Sequence, residues 1–168
     1  MGISDEAGIG TVKSQDSRYI LFKVNGNLWR YDQSDHRIMC VFTFSNGETD
    51  DVRSSYGDHD VQILRAGDDG SADFLVYGYM NRGPYEGQTG VIFYRYDAGS
   101  NTVQEKFFIP VVQEFEKLKK DVEQLAYVSP GEMVYLMLNG NVFGIDLSSN
   151  ESISVAQGRY GGNLCGKP

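Results

Sequence analysis

Apolar and polar residues alternate along most of the chain, in short runs closed by glycine, asparagine or aspartate. A two-residue period marks half-buried strands, because successive side chains point to opposite faces. Residues 18–24 (RYILFKV) form an almost continuous apolar run, Asn25-Gly26 follows, and residues 27–31 (NLWRY) return. Asn-Gly is a strong hairpin signal, since both central positions of the favoured turn need positive φ. Asp32 then opens the polar stretch DQSDHR, where Asp and Ser side chains can bond back to nearby amides. Residues 38–44 (IMCVFTF) supply the next strand, so the segment reads as a meander.

The stretch 25–32, NGNLWRYD, returns loosely at 89–97 as TGVIFYRYD and closely at 139–146 as NGNVFGID. A unit restated with different filling is the signature of a repeat architecture. In the second unit, strands are predicted at 61–65, 73–80, 91–96 and 103–109, with an enlarged loop, NRGPYEGQT, where the tight hairpin was. The third unit has strands at 126–128, 133–138, 141–145 and 152–156, and its hairpin is again Asn139-Gly140. One segment breaks the period. Val112, Phe115, Leu118, Val122 and Leu125 fall at steps of three and four, which predicts an amphipathic helix over 112–125. The expected fold is all-β: three four-stranded antiparallel meander units, about 18–45, 60–110 and 123–157, with that helix inserted. Residues 1–17 read as a flexible lead-in, with one short strand near 10–13, and 158–168 as a tail. A two-sheet sandwich or barrel is the alternative use of the same hairpins.

Four antiparallel strands in roughly 40–50 residues is the pattern of a propeller blade. With Tyr31-Asp32 and Tyr96-Asp97 at the ends of matching strands, residues 18–156 resemble the repeats of bacterial β-propeller proteins of the TolB-like kind. The resemblance implies an architecture and names no activity. Closed propellers usually have at least four blades. Three units therefore imply a partial or open propeller, or a portion of a larger protein.

Composition narrows the function more by exclusion. An apolar content of 40% with 23% charged residues fits a soluble globular domain and argues against general disorder. The net charge of −8 opposes a nucleic-acid surface, which needs a basic stripe. No run of about 18 apolar residues is present, so no membrane span is expected. The first residues lack the basic start and apolar middle of a signal peptide. An extracytoplasmic location thus requires a signal or anchor segment removed from this chain; otherwise the expected location is cytoplasmic. Cys40 and Cys165 do not fix the compartment, and Cys40 is expected to pack as a small apolar residue.

Asp58, His59 and Asp60 form the one cluster that suggests metal ligation. Their spacing matches no calcium loop, and a single His makes a poor zinc site. A solvated loop entering a strand is the preferred reading, with no metal or cofactor. Two histidines in predicted loops assemble no catalytic triad, so no catalytic residue is assigned; a glycosidase-type carboxylate couple stays open. Trp29, Tyr31, Tyr77, Tyr79, Tyr85, Tyr94 and Tyr96 are expected mainly to pack between sheets. Tyr79, Arg82 and Tyr85 around the enlarged loop, with Trp29, are the ligand-binding candidates, because loops on rigid scaffolds carry most binding sites. The expected function is non-enzymatic: a binding or scaffolding portion of a larger bacterial protein, presenting loops to a protein or glycan. The alternative is part of a propeller-type hydrolase acting on carbohydrate or peptide. Exposed sheet edges would invite a homodimer.

Overall fold

The computed structural model describes residues 11–13, 18–24, 26–43, 59–80, 83–128, 133–148 and 153–156, with backbone alone at 11–13 and 153–156. The chain divides into two compact units, Met1–Pro110 and Val111–Pro168.

The first unit holds two antiparallel sheets. Strands β1 (Thr11–Lys13), β2 (Tyr19–Val24), β3 (Asn27–Asp32) and β4 (Arg37–Phe42) pair in chain order. So do β5 (His59–Ala66), β6 (Ala72–Met80), β7 (Gln88–Asp97) and β8 (Thr102–Pro110). The second unit has helix α1 (Phe115–Glu123), then β9 (Ala126–Val128), β10 (Met133–Leu138), β11 (Asn141–Asp146) and β12 (Ile153–Ala156), again paired in order. The fold is all-β, with three antiparallel sheets and one helix among the described residues.

The sheets are not three like units, as the repeat suggested. Only the middle sheet has strands of 8 to 10 residues throughout. The first has three strands of 6 residues and an edge strand of 3. The third has two strands of 6 residues, with edge strands of 3 and 4. Strand length follows how far apolar residues persist on the buried faces. In β6 both faces qualify: Phe74 and Val76 are buried on one, Leu75 and Tyr77 on the other.

Leu21 and Leu28 of the first sheet pack with Val61, Ile63, Phe74, Val76 and Tyr96 of the middle one. Phe42 closes this core, its ring 5.4 Å from Phe74 and 5.0 Å from Tyr94. Each fully buried side chain of this size contributes about 1.5–3 kcal/mol. Gly90 admits a ring into the sheet: a Cβ there would lie 2.3 Å from Phe108 and 2.5 Å from the Ile109 carbonyl oxygen.

The turns follow the sequence closely. Asn139 and Gly140 both have positive φ, 50° and 78°, as the hairpin requires. Gly26 has φ 74°, while Asn25 lies outside the described residues. The recurring Asp does the same work in all three copies. Oδ1 of Asp32, Asp97 and Asp146 accepts the backbone N–H two residues on, from Ser34, Gly99 and Ser148, at 2.8–2.9 Å.

Two expectations are corrected. The helix begins at Phe115, after an extended Glu114, so Val112 lies outside it and is 87% exposed. Its true apolar stripe is Leu118 and Val122, both buried. Cys40 is exposed, because β4 is the edge of its sheet and Cys40 points away from the core that receives Met39 and Val41. Cys165 lies outside the described residues.

Candidate functional site

The enlarged loop between β6 and β7 carries the clearest predicted candidate. Tyr85 stacks on Phe108, ring centroids 4.1 Å apart at 17°, and its hydroxyl donates to Glu105. That hydrogen bond, then burial, pushes the Tyr85 phenol above its ordinary pKa. Burial, with Glu105 nearby, raises the neighbouring Tyr94 to about 12, so both phenols stay neutral through the physiological range. Glycines 83 and 87, with φ 82° and 80°, turn the loop, and Gly87 N–H donates to the Met80 carbonyl at 2.7 Å.

Tyr79 does not join this platform. The continuous register Val76↔Ile92 and Ile92↔Phe108 puts Phe108 on the face shared by Phe74 and Val76. Tyr79, three residues beyond Val76, belongs to the other face and is 42% exposed. Trp29 is half-buried in β3, between Phe22 and Cys40 on adjacent strands. Arg82 lies outside the described residues.

Of the predicted Asp58, His59 and Asp60 cluster, the structure describes His59 in packing and Asp60 in an ion pair. The His59 ring sits over Gly26, where a Cβ would come within 2.7 Å of Nε2. The Asp60 carboxylate takes Lys23 Nζ at 3.0 Å, the Tyr77 hydroxyl at 3.4 Å and its neighbour's amide N–H at 2.7 Å. Asp58 lies outside the described residues, and among the described ones no three His, Cys, Asp or Glu side chains converge.

Sequence reasoning missed a second locus at the opposite end of the middle sheet. Arg65, Asp73 and Arg95 stand side by side across β5, β6 and β7. Asp73 is buried, its side chain 3% exposed, and accepts Arg65 Nε at 3.0 Å, Arg65 Nη2 at 2.8 Å and Arg95 Nε at 2.6 Å. Beside this row lies a cavity of about 330 Å³, lined also by Gly67, Asp69, Ser71, Tyr96 and Asp97. Tyr96 is fixed by its hydroxyl on Asn101 at 3.1 Å and by the Arg30 guanidinium, 5.6 Å from its ring centroid. A detectable signal existed: one charge inside each of three largely apolar runs, QILRA, ADFLV and FYRY.

No protein-family model matches the chain, and no curated protein matches its sequence. Among solved structures it is similar to an oligogalacturonate lyase in complex with manganese, at 10% identity and a TM-score of 0.52. The match covers 92% of this chain and 37% of that one, so the chain spans little more than a third of its neighbour's length. The neighbour is a TolB-like β-propeller, and the likeness shows a propeller-like architecture here.

Proposed function

We propose that the chain is a blade-repeat portion of a propeller-type protein that binds a glycan through its loops without turning it over. The carrying observation is the Tyr85–Phe108 stack beside Glu105 on a loop longer than the repeat requires. A ring offers an apolar face to a sugar's C–H surface, and an adjacent carboxylate accepts from its hydroxyls; such a pairing of apolar area with few polar anchors is how small sites gain orientation. Many described carboxylates are engaged in holding the fold: Asp32 with Arg18, Asp60 with Lys23, Asp73 with two arginines, Asp97 in its turn. That engagement supports a binding role over catalysis. A glycan array followed by titration of the hits tests the reading. Tyr85→Ala should abolish binding with the fold intact, and an array without hits overturns it.

The name of the structural neighbour favours a second reading, a part-catalytic portion of a carbohydrate-acting propeller. A panel of hydrolase and lyase substrates separates the two. Turnover lost in Glu105→Gln would establish the second and sink the first.

A further inference from the structure

We infer that the cavity beside the Arg65–Asp73–Arg95 row is a second binding site, built for a neutral, hydroxyl-rich ligand such as an uncharged sugar residue. It lies at the Ala72 end of β6 and the Asp97 end of β7, and its lining includes none of Tyr85, Phe108 and Glu105. It goes beyond the Tyr85 reading and stands on different residues.

The floor is pre-organised. Asp73 holds both arginines by charge-assisted hydrogen bonds, so the long side chains lose little further freedom when a ligand arrives. Both still reach solvent: the Arg65 side chain is 43% exposed and that of Arg95 21%. The rim carboxylates are also set in advance. Asp69 accepts the Ser71 N–H and hydroxyl, each at 2.9 Å, and Asp97 accepts Gly99 N–H at 2.8 Å and Ser100 N–H at 3.1 Å. The arginine row itself sits on the strands of the longest sheet, where side-chain positions are held better than on a free loop. Asp69 and Ser71 lie in the short turn between β5 and β6.

Charge decides the ligand class. The lining carries two arginines against three aspartates. A simple anion must pass the two rim carboxylates, and a simple cation meets two guanidinium groups. Sugar hydroxyls avoid both penalties, since each can donate to a carboxylate while accepting from a guanidinium. A volume of about 330 Å³ is at the small end of ligand pockets, which suits a single ring.

The test titrates the full chain with neutral methyl glycosides by NMR, with glucuronate and glucosamine as charged comparisons. Neutral glycosides should bind and shift the signals of residues around Ser71 and Asp97. Arg65→Met, which leaves the Asp73–Arg95 pair, and Asp97→Asn, which keeps a turn acceptor, should each weaken binding by about tenfold. Tyr85→Ala should leave this binding unchanged. No binding of neutral glycosides, preference for either charged sugar, or indifference to both cavity variants overturns the inference. Loss on Tyr85→Ala alone would overturn it while leaving the loop reading intact. A glycan-array failure with this site still active would do the reverse.

Discussion

Arg18 meets Asp32 with two guanidinium nitrogens, Nε at 2.6 Å, while Ser34 adds its amide and hydroxyl to the same carboxylate. The Arg18 hydrogen bond, ahead of the Ser34 contacts, holds the Asp32 carboxyl well below the usual carboxylate range. A folded pKa below the unfolded one gives stability that is present above the unfolded value, near 4, and lost as pH falls towards the folded one. Arg18→Met should therefore move the acid unfolding midpoint, followed by circular dichroism, to higher pH. A midpoint unchanged by the substitution would show that the pair does not couple to folding. Gly90 is governed by space instead. Alanine there must displace the Phe108 ring and the Ile109 carbonyl, and should cost about 1–3 kcal/mol in denaturant unfolding. At this scale the turn chemistry was legible, because an Asx turn is a property of adjacent residues. The exposure of Cys40 was not, since alternation shows that two faces differ but not which one meets the core.

Helix α1 shows how a period can be right while its limits are wrong. Leu118 and Val122 sit on the face expected from the three- and four-residue steps, and both are buried. Val112 fits the same arithmetic yet lies before the helix and is exposed. Gln113 explains part of the boundary. Its side chain donates to Asp121 at 3.1 Å and accepts the Asn139 N–H at 3.0 Å, tying the chain before the helix to both the helix and the third-unit hairpin. Leu118→Ala should cost about 2–5 kcal/mol, as a buried leucine truncated in a packed core does, whereas Val112→Ala should stay within about 0.5 kcal/mol. Thermal unfolding of the two variants side by side checks the distinction; equal losses would return Val112 to the buried face. The Arg65–Asp73–Arg95 row belongs to the same lesson. It is made by cross-strand register, which local patterning does not encode, so a charge inside each of three apolar runs was visible but their meeting in one row was not.

Among the described residues the all-β character and the chain-order pairing of strands were readable, since each hairpin carries its own turn residues. The unequal sizes of the sheets were not, because strand length also reflects burial by distant segments. The middle sheet should dominate protection. Its β6 and β7 are buried on both faces and bonded on both sides, while β1, β4, β9 and β12 are edges. Native-state hydrogen exchange should find the slowest amides in β6 and β7 and fast exchange in those edges; comparable rates would contradict this gradient. The hairpin at Asn139-Gly140 has a consequence in time as well. Its pairs run from Leu138↔Asn141 out to Met133↔Asp146, so it closes over very little chain, and its turn residues already favour the required dihedrals. Forming it costs little loop entropy, and hairpins of this kind close in about 1–10 μs. The β6–β7 pairing must first order a longer loop. The smaller third sheet therefore holds the segment that can organise first as the chain folds, although the middle sheet is the last to let go.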